Sequence, residues 1–483
     1  MVLKKKPICF SAVLGALAAL FLPGIVCAEE GGDYYSLLSG YLEHDAARIA
    51  LVLEHEQAAL ELRKYETETG INFSLFSGDS TVRFSSDGPV FSVRPGIGIT
   101  LPGNGDSSLN VEVPVQAGSG RTTLYGVDAQ VRMGIITPRR ESHRAALAER
   151  QRGYLEATRN LEYRTAAAEQ EFCRAVQNLL ACRNTMLEAQ SEVLTARYDL
   201  DQKRAGGYSA SGIILRTAEL KLRTRERELR EAERVFSDAL EDFAADCGVA
   251  SAAVPGNIPG GELLDLESFD SQWYTELEQA RWRHGLNTQI RDYQDRRIGL
   301  DGLAGYTWNN YATAVSGTGG TSSVNAGLGF SVAGSSVTAG ISVPVNGPFE
   351  PSLTFSVIWK PSSWTIANIE RQIRDVTARK EREAISDALR NYSDHITEYG
   401  RKKRDLEWQK TVYDEEAELY RLNAEEMKTW FDRGIINETD YLDARTDYLL
   451  AVNRLLSAQI DRRLYNLEVQ ALFVPESVRE HLE

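Results

Sequence analysis

The chain has 483 residues, of which 42% are hydrophobic and 25% charged, and its formal net charge is −15. This composition excludes a disordered tail, a collagen-like fibre and a polytopic helical membrane protein. The acidic balance, with no basic cluster in the body of the chain, argues against a nucleic-acid-binding surface, which needs lysines and arginines facing phosphates. Expected partners are therefore proteins, a membrane or solutes.

Residues 1–28 have the pattern of a cleaved secretory signal. Three lysines, Lys4 to Lys6, precede an apolar run from Ile8 to Phe21, and Val26-Cys27-Ala28 precede Glu29. We predict cleavage after Ala28. Lipidation of Cys27 is the alternative, although Ile25 and Val26 are larger than the residues usually found before a lipidated cysteine. The mature chain is expected in an oxidising, extracytoplasmic space.

The rest of the chain contains one order of elements twice, which indicates an internal duplication. Both repeats have a helix, a strand region, a long helix opened by proline and a second shorter helix. The predicted bounds are: first repeat 29–246, with helix 33–70, strands 71–136, long helix 138–205 and helix 211–246; linker 247–265; second repeat 266–472, with helix 266–300, strands 302–359, long helix 361–432 and helix 437–472; tail 473–483.

Short similarities support the duplication. Pro138 corresponds to Pro361 and Gly207 to Gly434, while Val113-Pro114-Val115 resembles Val343-Pro344-Val345. The long helices of 68 and 72 residues would each extend about 100 Å at roughly 1.5 Å per residue. Two of the shorter helices placed end to end have about the same length as one long helix.

The shorter helix of the first repeat carries a seam of large apolar residues every seven positions, which is typical of a coiled coil. An ordinary helical hairpin core is the alternative. The seam residues are Leu215, Leu222, Leu229, Phe236 and Phe243.

The strand regions have the pattern of lipid-facing sheet. Residues 302–349 contain no Asp, Glu, Lys or Arg, and apolar residues alternate with Ser, Gly, Asn and Thr. This alternation suits a strand between lipid and water, and aromatic residues flank the region as an interfacial belt would: Tyr306, Trp308, Trp359 and Trp364. A soluble β-sandwich is the alternative. In the first repeat, charged residues could face a lumen or lie in external loops: Arg83, Asp87, Arg94, Glu112, Asp128 and Arg132.

No stretch of the mature sequence has the 18 to 20 or so apolar residues that a spanning helix needs. Strands in lipid must close into a barrel, because unpaired backbone groups cost several kcal/mol each in hydrocarbon. Two long strands per repeat give four per chain, which cannot close alone, so this count requires an oligomer. Four short strands per repeat would let one chain close by itself, but would leave the long helices without a partner ring.

The duplicated order, the proline-led long helices and the two tips together resemble the TolC-like outer-membrane efflux proteins, over essentially the whole mature chain. The tips are Gly207-Tyr208-Ser209-Ala210-Ser211 and the segment from Gly434 to Ala444. The resemblance implies an α+β membrane protein that forms a homotrimer. Its 12-stranded outer-membrane β-barrel, with four strands per chain, would continue into a long α-helical coiled-coil tunnel across the periplasm.

The resemblance also implies partners and sites. The helical tips would dock a periplasmic adaptor protein and an inner-membrane transporter, with Gly207 and Gly434 marking the adaptor grooves. Helix C-cap glycine is the alternative role of both. Ile436 stands where the family often has Arg, and Phe431 where it often has Tyr, so the usual latch of the closed tip is altered.

Asp440 and Asp443 lie three residues apart after Gly434, so they share one helix face. In a trimer they would form two stacked carboxylate rings at the periplasmic mouth, which favour cations and bind divalent ions. We predict that they form the gate. The first repeat has Ile214 and Thr217 at the matching positions. Exposed acids stabilised by the helix dipole are the alternative.

Three cysteines follow the signal: Cys173, Cys182 and Cys247. In a hairpin that turns near residue 210, Cys173 and Cys247 lie at the same level, whereas Cys182 lies away from it. We predict a disulfide between Cys173 and Cys247, with Cys182 as a buried thiol; three unpaired small core residues are the alternative.

The six histidines have no metal-ligand spacing, and no nucleotide-binding loop or nucleophile elbow is present in the sequence. We expect no enzyme activity, cofactor or metal. The expected function is the exit duct of a tripartite efflux or type I secretion system, passing solutes or polypeptides across the outer membrane. A non-conducting periplasmic or surface coiled-coil scaffold with a soluble β-domain is the alternative.

Overall fold

The computed structural model describes residues 33–85, 88–104, 107–118, 123–209, 212–296, 298–310, 320–332, 335–346 and 349–480. The predicted signal 1–28, including Cys27, lies outside these residues.

Eight helices account for most of the described chain. They are α1 (Tyr34–His44), α2 (Ala46–Thr69), α3 (Pro138–Ala205), α4 (Ile213–Asp246), α5 (Thr275–Arg296), α6 (Pro361–Asp432), α7 (Glu438–Ala471) and α8 (Glu476–Arg479). The two long helices α3 and α6 have 68 and 72 residues, with the bounds that the sequence predicted. Each begins at a proline. Proline lacks a backbone N–H group, and an N–H group in the first turn of a helix would have no partner within the helix.

Two predicted helices differ from the structure. The helix expected over 33–70 is divided at Asp45, whose carboxylate caps α2 at Ala47 N and also pairs with Arg164 of α3. The helix expected over 266–300 is too long at both ends. Residues 266–274 instead form two short 3-10 turns, each capped by an aspartate, Asp265 and Asp270. Aspartates favour caps over helix interiors because their side chains bond nearby backbone N–H groups.

The helices pack as a layer whose order follows from their contacts. Helix α3 contacts α2 and α4 on one side and α5 and α7 on the other, and α6 contacts α5 and α7. The short helices therefore alternate with the long ones: α2 with α4, then α3, then α5 with α7, then α6. The seam residues Leu215 and Phe243 of α4 are buried against α3.

Two hydrophobic cores lie midway along the helices, at the level where the short helices end. One joins α1, α3, α4 and α7 around Phe172, Val176 and Ile460. The other joins the linker, α5, α6 and α7 around Tyr274, Leu277 and Phe473. Each core contains aromatic rings in contact, such as Tyr34 with Phe172 at 5.3 Å between centroids.

The linker between the repeats is held along α7 by three polar side chains of that helix. Arg462 donates to the carbonyls of Gly260 and Gly261, Asn466 accepts from Leu264 N, and the Tyr465 hydroxyl donates to Leu264 O. These bonds give hydrogen-bond partners to backbone groups of the linker that are not paired within a helix or a sheet.

The described part of the predicted tail, residues 473–480, packs against the fold. Phe473 and Val474 are fully buried, and Val474 N donates to Trp273 O at 2.9 Å. Their apolar side chains complete the second core, which the sequence analysis did not anticipate.

The strands form one antiparallel sheet at the end of the helices where α2 finishes and α6 begins. The described strands are β1 (Asn72–Phe76), β2 (Thr81–Ser85), β3 (Gly88–Val93), β4 (Gly96–Leu101), β5 (Ser107–Glu112), β6 (Val115–Gly118), β7 (Leu124–Ile136), β8 (Ile298–Asn309), β9 (Thr321–Val332), β10 (Ser335–Pro344) and β11 (Ser352–Ile358). The sheet runs from β1 at one edge to β11 at the other.

The eleven segments amount to eight strands. The pairing of β4 with β5 continues in the same register as that of β3 with β6, and β5 and β6 pair with β7 in one register. Segments β1 and β2 continue each other with a shift of one residue. Each repeat thus contributes four antiparallel strands, so the predicted four per chain is wrong.

The interruptions have identifiable causes. Pro95 and Pro114 lack the N–H group that a ladder needs, although their carbonyls accept from Val113 N and Gly126 N. In the first strand, Gly78 has φ +59° and allows the one-residue shift. The second-repeat strands β8 to β10 lack such breaks. In both repeats the described pairing agrees with the alternative count of four strands rather than with the predicted count of two.

Candidate functional site

The sheet has two chemically different faces, because residues opposite one another in the register point to the same side. One row reads Phe73, Ile99, Leu109, Val131, Ala304, Ala326, Ile341 and Leu353, from the β1 edge to the β11 edge. The neighbouring rows on this face are also apolar. We call this the apolar face.

The apolar face is uncovered in the described chain. Leu75 is 84% exposed, Leu353 81% and Phe355 73%. All described strands belong to one sheet, so no second layer of described strands packs on them. A soluble β-sandwich would bury such side chains between two sheets. The arrangement instead suits contact with lipid.

The opposite face is polar and built mainly from small residues. Asn110, Gln130, Gly305 and Asn325 form one of its rows. Three charged residues of the first repeat that could have lain in loops are on this face, namely Glu112, Asp128 and Arg132. Large apolar side chains here are few, such as Phe76 and Leu303. A face of this kind suits a watery lumen.

The aromatic residues lie at both ends of the strands. Trp359 and Trp364 are at the helical end, 72% and 55% exposed. Tyr306 and Trp308 are at the opposite end of β8, where Trp308 contacts Tyr125 with 5.4 Å between ring centroids. Tyr306 and Trp308 were expected at the start of the strand region, because the predicted strands began at 302 rather than at 298. Two aromatic levels are typical of the two interfaces of a membrane.

The helix tips lie at the far end from the sheet. Gly207 and Gly434 both have a left-handed backbone, with φ of +77° and +69°. Gly434 N donates to Phe431 O, and Tyr208 N donates to Lys203 O, which closes the ends of α6 and α3. A Cβ atom at either glycine would meet nothing within 4 Å. The glycines are therefore required by the turn, and the space beside them is open.

Phe431 and Ile436, the two departures from the family pattern, lie in the second tip. The ring of Phe431 stacks on Tyr441 at 5.4 Å between centroids and 12° between planes. This contact is internal to the hairpin and uses no hydroxyl at position 431.

The two predicted gate residues have different surroundings. Asp440 is exposed, and its backbone N–H donates to the side chain of Asn437, the cap of α7. The Asp443 carboxylate accepts a hydrogen bond of 2.6 Å from the Ser191 hydroxyl of α3. Asp443 is thus held at the contact between α7 and α3, one turn beyond the exposed Asp440.

A third carboxylate on the same face was missed. Asp447 is one turn beyond Asp443, and partial burial together with the negative charge of Asp443 raises the pKa of Asp447. Arg454 opposes this shift. The spacing 440, 443 and 447 follows one helix face, and extending the pattern by one turn would have found it.

The predicted disulfide is absent. Cys173, Cys182 and Cys247 are free thiols, with Cys173 and Cys247 buried in the same core. Cys173 Sγ makes a 3.3 Å hydrogen bond with the Tyr34 hydroxyl. Cys247 instead lies against the backbone of Gly40 in α1. The hairpin spacing correctly placed Cys173 and Cys247 at the same level of α3 and α4. Helix α1 also enters this core, however, and contacts both cysteines. Cys182 is only partly buried.

Buried ion pairs connect the two repeats. Arg152 of α3 makes a two-bond contact with the Glu278 carboxylate of α5, at 2.5 and 2.6 Å, and lies 5.0 Å from the ring of Trp282. The side chains of Arg152 and Glu278 are 4% and 11% exposed. Arg463 of α7 donates to Glu169 of α3, beside Tyr34. No sequence motif marks these pairs.

In the described part of the chain, none of the helices combines the length and the apolar character needed to cross a membrane.

Solved structures similar to this chain are outer-membrane channels. The channel CusC matches with a TM-score of 0.46 and 10% identity, over 92% of each chain. CmeC of Campylobacter jejuni matches with 0.42 and 14%, over 93% of this chain and 88% of that one. MtrE of Neisseria gonorrhoeae matches with 0.41 and 14%, over 90% and 88%.

Sequence comparisons identify the family. An uncharacterised protein of Treponema pallidum (strain Nichols) is 23% identical over 478 residues, which are 95% of this chain and 85% of that protein. The TP096X N-terminal domain matches residues 37–262 and the TP096X C-terminal domain matches residues 259–476. With both domains in order over nearly its whole length, the chain belongs to the TP096X family.

Proposed function

We propose that this protein is an outer-membrane channel that carries solutes or polypeptides out through a helical duct in the periplasm. The observation that supports this best is the two-faced sheet, apolar from edge to edge on one side and polar on the other. Helices of 68 and 72 residues continue from it. Such helices extend about 100 Å, at roughly 1.5 Å per residue, which suits a duct rather than a small anchor.

The channel forms from a ring of copies, since the helical layer has two unpartnered sides. At one side, α2 exposes Leu53 and Leu60; at the other, α6 exposes Ile369 and Val376. Counted from the sheet, Leu60 and Ile369 are both about 13 Å down the helices, and Leu53 and Val376 about 23 Å, at roughly 1.5 Å per residue. The two sides therefore match in height, as a head-to-tail contact between copies requires.

Nearer the tips, exposed apolar residues of α4 and α6 also match in height. Val235 of α4 and Trp408 of α6 are exposed at similar distances from the tips, as are Leu220 and Leu422. We propose three copies, the number that the TolC-like resemblance implies. The coiled-coil helices of the ring then enclose the duct.

The partners are assigned by position. Lipid contacts the apolar face, and the tips beside Gly207 and Gly434 dock a periplasmic adaptor and an inner-membrane transporter. Open space around both glycines leaves room for such contacts. Asp440, Asp443 and Asp447 line the mouth and select cations. The chain itself performs no catalysis and binds no cofactor.

Conductance tests the proposal. The purified oligomer, reconstituted in planar lipid bilayers, should give discrete current steps. The protein should also stay in the outer-membrane fraction after carbonate extraction and run as an oligomer that heat dissociates. A folded oligomer that is released by carbonate and gives no current would favour the non-conducting scaffold instead.

A matched pair of variants tests the ring. Ile369→Glu on α6 places a charge in the proposed contact and should dissociate the oligomer into folded monomers. Ile369→Val, which keeps the same position apolar, is the matched control and should leave the oligomer intact. An oligomer unaffected by Ile369→Glu would contradict the head-to-tail contact.

A further inference from the structure

Both outer edges of the sheet lack a partner strand within the described chain. Segment β1 pairs only with β4, and β11 pairs only with β10. The apolar face continues to both edges, through Phe73 and Leu75 on β1 and through Leu353 and Phe355 on β11. An open edge beside lipid leaves backbone N–H and C=O groups without partners, which hydrocarbon does not tolerate.

The directions of the two edge strands suit each other. Strand β1 leaves α2 and runs away from the helices, whereas β11 runs toward them and enters α6. Placed side by side they are antiparallel, like every other pair in the sheet. The helices joined to the edges, α2 and α6, are the same two that expose matching apolar residues.

The chain does not close on itself. Closure of β11 on β1 within one chain would bring α6 against α2. Leu60 and Ile369 are instead 66% and 53% exposed, and Leu75 at the β1 edge is 84% exposed. The edges and the helix sides thus require the same occupant, a second copy of this chain.

We infer that β11 of one copy pairs with β1 of the next, so that each chain supplies eight membrane-crossing strands. This rests on the proposed function, in which three copies form the channel. Eight strands from each of three chains make a barrel of 24 strands, twice the 12 that the sequence analysis expected.

The two layers of one chain have comparable widths on this count. Eight strands about 4.8 Å apart and tilted by about 40° take up roughly 50 Å of circumference. Four helices about 10 Å apart take up roughly 40 Å. Four strands would cover only about 25 Å by the same spacing. Eight strands therefore continue the helical wall without a step inward.

The passage is consequently wide at the membrane and narrow at the helices. A 24-stranded barrel would be about 48 Å across between backbones, against about 38 Å between helix axes in the duct. Restriction of cargo then falls to the periplasmic end, where Asp440 and Asp443 lie, and the barrel wall has little part in selection.

Paired cysteines test the edge contact. In a background with Cys173, Cys182 and Cys247 changed to Ala, Ser74→Cys on β1 is combined in turn with Thr354→Cys and Ser356→Cys on β11. All three sites lie on the polar face. Oxidation should give dimers and trimers on non-reducing denaturing gels. Ser108→Cys with Ser331→Cys, on strands separated by β7 and β8, is the control and should stay monomeric.

Each other result is informative. A fast-migrating monomer from the edge pairs would mean that one chain closes its own barrel, and no cross-link in either register would mean that something else covers the edges. Both results overturn the inference. Cross-linked trimers that give no bilayer current would leave the edge contact standing and refute the channel.

Lipid accessibility tests the strand number. Spin labels at Phe73 and Ile99 of the first repeat should be as accessible to oxygen in the bilayer as labels at Leu328 and Ile341 of the second. Labels at the adjacent polar-face positions Ser74 and Gly98 should be accessible to a water-soluble nickel reagent instead. First-repeat labels that are reached only by the nickel reagent would restrict the barrel to second-repeat strands and overturn the count of eight.

Discussion

The two repeats contain the same number of strands but build them differently. The second repeat has four strands that carry almost no charge, and β8 and β9 each run unbroken for 12 residues. The first repeat interrupts its strands at Gly78, Pro95 and Pro114 and places Glu112 and Asp128 on the polar face. The shared features are the register and the separation of faces. The two repeats thus share the backbone pairing and the apolar side, and they differ in turn-like residues and in charges on the side that water can solvate.

The largest effect is expected where the repeats join. Glu278→Ala would leave the buried Arg152 and Arg159 with only the partly exposed Glu156 as a carboxylate partner and should destabilise the fold by about 3 kcal/mol. Thermal unfolding in detergent, followed by helix circular dichroism, measures this. Glu231→Ala removes an exposed ion pair with Arg234 and should cost less than about 0.5 kcal/mol. Equal losses in the two variants would show that the buried pair does not hold the repeats together.

The cysteines give the next effect, and none of those after the predicted signal lies in the second repeat. Burial raises the pKa of both Cys173 and Cys247 to about 11. Since only the thiolate reacts, and a thiol normally has a pKa near 8.5, alkylation at neutral pH should be slower by at least about 100-fold than for a free thiol. The partly buried Cys182 should label first. Mass spectrometry after alkylation without a reductant should find three labelled thiols in the unfolded chain, whereas two missing labels would mean that a disulfide forms.

Glycine substitutions distinguish interrupted strands from continuous ones. Gly78→Ala forces a Cβ atom to 2.6 Å from the Arg94 carbonyl oxygen in a left-handed backbone, and should cost about 1–3 kcal/mol. Gly305→Ala in β8 would meet its nearest atom at 3.4 Å, so its effect should stay within about 0.5 kcal/mol. The temperature at which the oligomer dissociates on gels measures both effects. A large loss of stability in Gly305→Ala with none in Gly78→Ala would contradict the one-residue shift described at Gly78.

The smallest effect is expected at the mouth, where the first repeat has Ile214 and Thr217 at the positions of Asp440 and Asp443. Asp440→Asn with Asp443→Asn should weaken cation selectivity and divalent block several-fold while the oligomer stays intact. Ile214→Asn with Thr217→Asn, at the matching first-repeat positions, is the control and should change neither. Unchanged selectivity in the aspartate variant would reject the gate assignment and leave the channel proposal in place.

The gate should also depend on pH. Because the pKa of Asp447 is raised, this group takes up a proton before ordinary carboxylates as the pH falls. Cation selectivity should therefore begin to decline at a higher pH than in Asp447→Asn. The folded state also binds this proton more tightly than the unfolded state, so ionised Asp447 reduces stability as the pH rises through its pKa. Asp447→Asn should be slightly more stable than wild type at neutral pH, and bilayer reversal potentials with melting curves across pH check both statements.

The sequence sufficed for features that depend on local pattern. Proline at position 1 and glycine at the end located α3 and α6, and alternation located the apolar face. Features that depend on contacts distant in the chain were missed or misread. Asp45, which caps α2, also accepts a hydrogen bond from Arg164. Cys173 is hydrogen-bonded to Tyr34, and Asp443 accepts a hydrogen bond from Ser191. The number of strands was misjudged because the lower count was preferred as the one that gives the long helices a partner ring, whereas the register of neighbouring strands shows four strands in each repeat.

The pairing of residues 273–275 with 472–474 has a consequence for biogenesis. Trp273, Tyr274 and Phe473 meet across some 200 residues of chain that include both α6 and α7. At a synthesis rate of about 5–20 residues per second, the aromatic side chains of the first segment wait roughly 10–40 s before their partners emerge. During that interval the apolar side chains of the half-built core stay exposed together with unpaired strand edges. Folding of this protein should therefore depend on chaperones that hold the unfinished chain.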